Sequence, residues 1–484
     1  MKTLKLKKVH GNRWAVLMLI IVMTGGLLAA CSPASKKAEE DTPRLLRIAS
    51  VFGDSSYDGY LRTEFTEIYE YTQQVEVEFV YAIDYSEYRY EDGLGDLDPI
   101  EELIKLMEGP NPPDLVMIEY PQLQELVNNN MLLALDSYIA NDNIDLSEFV
   151  PMVIDGLKEV GNDQLYALAP TFSSSALIYN RGLFDRAGVG YPEDHMTWNE
   201  IFDLARRVAG GEGEDKVFGF SFNRYAFDDL FYYLQNYTAP LQLRFVDDSG
   251  ERMLVNSEQW ANVLNTLVDL YRDEVLPNRD NITLDYSSPY SHDLFLSGKV
   301  AMTLVHYSEL DEVINANNYA DSIEGYEYID WDVVTYPTHE EAPGVGAAIS
   351  MYPLLGINAK AQNTEGAWDF IKFIHSEEWA KLKSRSSHQL VTRKAYNEPK
   401  GGLDYNMEAF FALKPQPQFL TDMYRIVPNY WEIMQIGQRK FYEVLENEKT
   451  VEEALAEWQT EGDMLLQQNR ENLDEEPISV DQIE

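Results

Sequence analysis

Short apolar runs alternate along this chain with longer stretches whose apolar residues recur every three or four positions. A chain so written must bury strands against helices, so the alternation predicts an α/β architecture with helices covering sheet faces. Residues 45–52 (LLRIASVF), 75–81 (VEVEFVY), 114–118 (DLVMI), 217–222 (VFGFSF), 300–305 (VAMTLV) and 330–336 (DWDVVTY) read as strands. Between the second and third, Pro99 to Met107 reads as a helix with Ile100, Leu103, Ile104 and Met107 on one face. Thr197-Trp198-Asn199-Glu200 forms a capping box ahead of Ile201, Leu204, Ala205 and Val208, and Gly210-Gly211 stops that helix. Trp260 to Tyr271 and Ala367 to Ile374 carry further helical stripes, and Thr450 to Glu453 is a second capping box.

The first thirty residues read as an address. Lys2, Lys5, Lys7, Lys8 and Arg13 precede an apolar run from Trp14 to Met23, then small residues up to Leu28-Ala29-Ala30-Cys31. A basic head, an apolar stretch and small residues before a cut site describe a secretory signal. The position of the lone cysteine resembles the bacterial lipobox, which implies cleavage after residue 30 and lipidation of Cys31. The apolar run is shorter than the ~20 residues that a membrane span needs. Residues 31–44 read as a flexible tether, and 469–484 as a frayed acidic tail. The globule is expected outside the cytoplasm, held to the membrane by the lipid.

One cysteine excludes a disulfide framework and thiolate metal sites. The 484 residues hold 82 acidic and 38 basic side chains, a formal charge of −44, which repels nucleic acid and favours a soluble monomer. Enzymatic motifs are poor. No P-loop occurs, Gly344-Val345-Gly346 breaks the dinucleotide pattern at Ile349, and Asn223 spoils a nucleophile elbow at Gly219-Phe220-Ser221-Phe222. The histidines are scattered, and the acidic turns at Asp96, Asp98 and Asp247-Asp248 lack a calcium-loop pattern. No cofactor, metal or catalytic residue is assigned. A secreted glycosidase stays open, because it needs only two carboxylates brought together by the fold. The 31 tyrosines, 20 phenylalanines and 8 tryptophans offer faces on which sugar rings can stack, although most such rings in any protein are core.

Four ordered segments carry a family resemblance: PPDLVMIEYPQLQELVNNNMLLALDSY (112–138), LYALAPTFSSSALIYNRGLFDRAGV (165–189) with TWNEIFDLARRV (197–208), LFLSGKVAMTLVHYSEL (294–310) and LLGINAKAQNTEGAWDFIKFIHSEEW (354–379). They resemble the family 1 extracellular solute-binding proteins, the capture subunits of ABC sugar importers that include maltose-binding protein. The resemblance implies a two-lobed fold with central mixed sheets, helices on both faces and a ligand cleft between lobes. Residues 45–169 with 338–384 would form one lobe, and 170–337 with 385–468 the other. Chain crossings are expected near Ala169-Pro170 and Tyr336-Pro337.

The same resemblance places ligand contacts in loops after strand ends, where open α/β sheets bind ligands. These are Asp54 and Tyr57, Glu119 and Tyr120, Thr171, Phe172 and Ser173, Asn223, Arg224 and Tyr225, His306 and Tyr307, with Trp431 as a late aromatic. Where family members often set a tryptophan, this chain has His306-Tyr307, and residues 344–353 are longer than in the maltose binder. The implied function is non-catalytic capture of a carbohydrate, most readily an oligosaccharide, for an ABC permease. A binding lipoprotein that serves a sensor kinase is the remaining alternative.

Overall fold

The computed structural model describes residues 44–86, 97–226, 230–247, 249–277, 282–284, 286, 288–346, 349–386, 388–415, 427 and 430–475. The expected leader, Cys31 and most of the expected tether lie outside them. Thirteen strands are found among the described residues: β1 (Arg44–Gly53), β2 (Val75–Asp84), β3 (Leu115–Ile118), β4 (Ala167–Leu168), β5 (Thr171–Phe172), β6 (Ser175–Asn180), β7 (Phe218–Ser221), β8 (Val300–His306), β9 (Trp331–Thr335), β10 (Val345–Gly346), β11 (Leu354–Ile357), β12 (Leu390–Val391) and β13 (Lys414–Pro415).

Two sheets dominate, one of five strands in the order β2-β1-β3-β11-β4 and one of four in the order β7-β8-β6-β9. Both are mixed. In the first, β1 and β3 run parallel with Ile48 opposite Leu115, and β11 runs antiparallel to β3 and β4. In the second, β7 and β8 are parallel, and β6 is antiparallel to both β8 and β9. Every strand expected from the apolar runs is present within a few residues of its predicted ends. Two central strands, β6 and β11, are not marked by the sequence pattern. All their residues are buried, so neither shows the in-out alternation that marks a half-exposed strand.

Helices pack over these sheets. Glu67–Gln73 and Pro99–Glu108 lie on β2, Thr364–Ile374 on β11, and Trp198–Val208 on β7 and β8. The capping box at Thr197 forms: its Oγ1 accepts from Glu200 N–H at 3.3 Å and Glu200 Oε2 accepts from Thr197 N–H at 2.8 Å. The same reciprocal pair forms between Thr450 and Glu453. The helix that it starts, Val451–Glu475, runs into the stretch expected to be a frayed tail, and residues 476–484 lie outside the described residues. Gly219 in β7 is required by a close approach, since a Cβ there would stand 2.0 Å from the Ala205 carbonyl oxygen of the helix above. Much of the aromatic content is core. Trp198, Phe202, Phe220, Phe222, Tyr237 and Tyr336 pack ring on ring behind β7.

Sheet membership switches within three chain segments. Residues 169–174 lead from β4 to β6, residues 336–353 lead from β9 back to β11, and β12 follows the helix Glu377–Ser386. These segments bond to one another. β5 pairs antiparallel with β12, Ser173 and Ser350 exchange two backbone bonds of 2.8 and 2.9 Å, and Thr392 N–H donates to Pro170 O at 3.0 Å. The expected crossings at Ala169-Pro170 and Tyr336-Pro337 fall inside the first two segments. No helix among the described residues is long and apolar enough to cross a membrane.

Candidate functional site

The crossings fix which strand ends meet. β4 leaves the first sheet at its last residue and enters β6 of the second at its first, and β9 ends where the chain returns to the start of β11. In the first sheet, Leu354 of β11 stands opposite Ile118 of β3, and Leu355 opposite Leu168 of β4. The carboxyl ends of β1, β3 and β4 and the start of β11 therefore share one rim. Tyr85 N–H donates to Gly53 O at 2.9 Å, which brings the end of β2 to the same rim. In the second sheet Ser175 stands opposite His306, and Ala176 opposite Thr335, so the start of β6 shares a rim with the ends of β8 and β9, with β7 ending alongside. Both rims lie at the ends from which the crossings run, the place where open α/β sheets hold ligands.

The first rim is lined with phenols. Tyr57 Oη lies 3.0 Å from Tyr352 Oη, and the Tyr57 ring stacks on Tyr60 with centroids 5.5 Å apart. Tyr85 stacks on Phe52 with an interplanar angle of 4°. Tyr60 and Tyr85 keep 47% and 48% of their surface exposed, so each ring stays partly open beyond its stacking partner. Tyr81 donates to Asp58, and its ring lies so close over Gly53 that only glycine fits there. Burial, with the Tyr57 bond, pushes the Tyr352 phenol well above its ordinary range. Glu119 reaches solvent here, yet the protein around its carboxyl raises its pKa by desolvation. Asp54 has the more modest role of helix cap: its Oδ1 accepts from Ser56 N–H at 2.8 Å and Tyr57 N–H at 3.1 Å. These bonds, led by that of the Ser56 hydroxyl, lower its pKa.

The second rim combines hydroxyls, amides and a few open rings. His306 Nδ1 lies 2.7 Å from Ser175 Oγ. Asn223 bonds to the Tyr233 hydroxyl, and the Tyr225 hydroxyl donates to Glu312 at 2.9 Å. Burial and that carboxylate push the Tyr225 phenol up to about 12. Trp431, 57% exposed, opens the helix Tyr430–Leu445 and packs edge-on against Tyr430, which accepts from Gln235 in the segment that carries Tyr233.

Four expected contact residues need correction. Thr171 and Phe172 have no exposed surface, because they form the β5–β12 ribbon of the crossings; Thr171 Oγ1 donates to Gln389 Oε1 at 3.0 Å. Arg224 is 1% exposed, with its guanidinium on Asp293, on Glu312 at 3.3 Å and on the Glu309 carbonyl at 3.2 Å. The Tyr307 ring is buried edge-on to Phe410, with Lys400 Nζ 4.3 Å from its centroid. Tyr120 is half-buried and stays at the end of β3, with its hydroxyl donating to the Gly156 carbonyl at 2.9 Å. The rims thus carry Asp54, Tyr57, Glu119, Tyr120, Ser173, Asn223, Tyr225 and His306, and Trp431 is tied to the second through Tyr430 and Gln235. Sequence reasoning missed Tyr60, Tyr81, Tyr85 and Tyr352. The dense tyrosines of YAIDYSEYRY (81–90) are the signal that could have found two of them.

Residues 54–381 match the model of the bacterial extracellular solute-binding protein family. A Brucella abortus protein described only as a binding protein is 22% identical over 337 residues, 67% of this chain and 72% of its own length. An sn-glycerol-3-phosphate-binding periplasmic protein of Brucella melitensis is 21% identical over 259 residues, 53% of this chain and 55% of its own. Among solved structures, a sugar transporter of Rhizobium etli in an open conformation superposes with a TM-score of 0.57 at 20% identity, covering 87% of this chain and 99% of that one. That likeness shows the shared fold.

Proposed function

Because the chain belongs to the bacterial extracellular solute-binding protein family, we propose that it captures an uncharged carbohydrate between its two rims and delivers it to an ABC importer. The observation that carries this reading is that the crossings start from a phenol-lined rim on the first sheet and from a rim of hydroxyls and amides on the second. Sugar rings present C–H faces that stack on Tyr60, Tyr85 and Trp431, while their hydroxyls bond to Tyr57, Glu119, Asn223 and His306. The similarity to a sugar transporter supports the same ligand class. A phosphate ester such as sn-glycerol 3-phosphate fits this rim less well. Its dianion needs a free cation, and the rim's guanidinium, Arg224, is spent on Asp293.

The mechanism is binding without covalent chemistry. We assign residues 45–169 with 338–384 to one lobe and 170–337 with 385–468 to the other, turning about the bonded crossings at 169–174, 336–353 and 390–392. Ligand that touches both rims favours the closed form by its extra contacts there. Lipidation of Cys31 would hold a monomeric receptor at the outer face of the membrane.

A thermal-shift screen tests the proposal with maltose, maltotriose, larger neutral oligosaccharides, peptides and sn-glycerol 3-phosphate. A ligand at one hundred times its dissociation constant adds about 2.7 kcal/mol of stability. A shift with a saccharide that chromatography recovers intact supports capture, whereas its hydrolysis points to a glycosidase. A shift with peptides alone, or with the phosphate ester alone and lost in Tyr57→Ala, overturns the ligand class. Tyr57→Ala and Trp431→Ala should each weaken saccharide binding by roughly 30-fold, the cost of a contact worth ~2 kcal/mol. Unchanged affinity in both variants would remove them from the site.

A further inference from the structure

Beside the second rim, outside the set of ligand contacts above, lies a cavity of about 530 Å³ walled by Tyr307, Asp311, Lys381, Arg385, His388 and Lys400, with Glu398 at its edge. Its walls come from both sides of the crossings. Tyr307 and Asp311 follow β8 of the second sheet, Lys381 and Arg385 stand one turn apart on the helix Glu377–Ser386, which packs against the helix Thr364–Ile374 over the first sheet, and Lys400 lies beyond β12. In a chain with a formal charge of −44 this cavity gathers three permanent cations against two carboxylates.

The cations differ in how they are used. Lys400 Nζ is mostly covered and lies 2.7 Å from Asp311 Oδ2, and His388 Nδ1 lies 3.4 Å from the same oxygen. The cavity thus already holds one oxyanion, supplied by the protein. Lys381 and Arg385 are exposed to the cavity, and neither side chain has an ion-pair or hydrogen-bond partner among the described residues. A lysine and an arginine four positions apart on a helix present their charges side by side. The arginine fork matches the two oxygens of a carboxylate or phosphate, and the lysine supplies a point charge to a third.

We propose that this cavity is an oxyanion site that takes a phosphate- or carboxylate-bearing small molecule on Lys381 and Arg385, with Lys400 completing it from the far wall. A molecule held there touches both sides of the crossings, so its occupancy biases lobe closure independently of the neutral sugar.

Titration calorimetry with inorganic phosphate, repeated with galacturonate and with galactose as the uncharged control, tests the site in the purified protein. Saturable binding of phosphate or galacturonate, but not of galactose, is expected, and the anion bound more tightly identifies the source. The double variant Lys381→Ala/Arg385→Ala should lose at least tenfold in anion affinity and keep its affinity for the saccharide found by thermal shift. Should the double variant fail to fold, Lys381→Gln and Arg385→Gln singly should each weaken the anion several-fold, and circular dichroism reports their folding. Saturable binding of neither anion, or undiminished binding in the variants, overturns the proposal. Loss of saccharide binding with anion binding intact would instead indict the proposed sugar cleft.

Discussion

Arg224→Ala is expected to destabilise the protein by about 3–5 kcal/mol, the cost of breaking a buried ion pair from one side. Arg224 stands in the loop after β7, within the segment where a ligand contact was expected, yet its side chain is turned inward and 1% exposed. Burial alone would lower its pKa, but Asp293 and its other partners outweigh that and hold the guanidinium charged. Asp293 has few other partners: it accepts the backbone N–H groups of Phe295 at 3.0 Å and Leu296 at 2.9 Å. Without the arginine its carboxylate is left buried among neutral donors. The Arg224 carbonyl accepts from Leu294 N–H, and Tyr225 bridges to Asp293, so the second rim rests on this strut. Urea unfolding of the variant measures the loss. A variant within about 1 kcal/mol of the parent that no longer bound saccharide would return Arg224 to the ligand.

Acid should weaken the protein through His375, at the end of the helix Thr364–Ile374. The imidazole is buried, and its Nδ1 lies 2.6 Å from the Ile371 carbonyl. Burial lowers its pKa from an ordinary 6.5 to about 4. Between those values the unfolded chain binds a proton that the folded chain refuses, so stability falls as the pH drops from about 6.5 towards 4 and is flat above. At pH 4.5 the loss from this one group is on the order of 2–3 kcal/mol. The residue also anchors a crossing, since its carbonyl accepts from Arg393 Nε at 2.7 Å, two residues past β12. Urea unfolding at pH 7 and pH 4.5, compared between parent and His375→Asn, isolates the effect from the many carboxylates. The parent should lose 2–3 kcal/mol more than the variant. Equal losses would show that His375 does not titrate out of step.

What was legible in the sequence follows from how local the information is. The half-exposed strand β2 alternates, so VEVEFVY announced itself, as did the two capping boxes, whose hydrogen bonds close over three residues. β6, with SALIYN buried throughout, carries no period-two signal, and its place at the centre of the second sheet emerges only from pairing with β8 and β9, more than a hundred residues later. The rule that ligand loops follow strand ends points to loops on both rims. It could not tell which side chains turn outward, because that depends on partners far along the chain: Asp293 for Arg224, Leu390 for Phe172, Phe410 for Tyr307. Tyr352 escaped for the same reason. It joins the rim through Tyr57, 295 positions earlier.

Small-angle scattering of the purified protein, with and without the saccharide that raises its melting temperature, tests lobe closure most directly. The radius of gyration should shrink on saturation while the sugar is recovered unchanged. A profile identical in both states, at a concentration where the sugar is demonstrably bound, would contradict capture by closure.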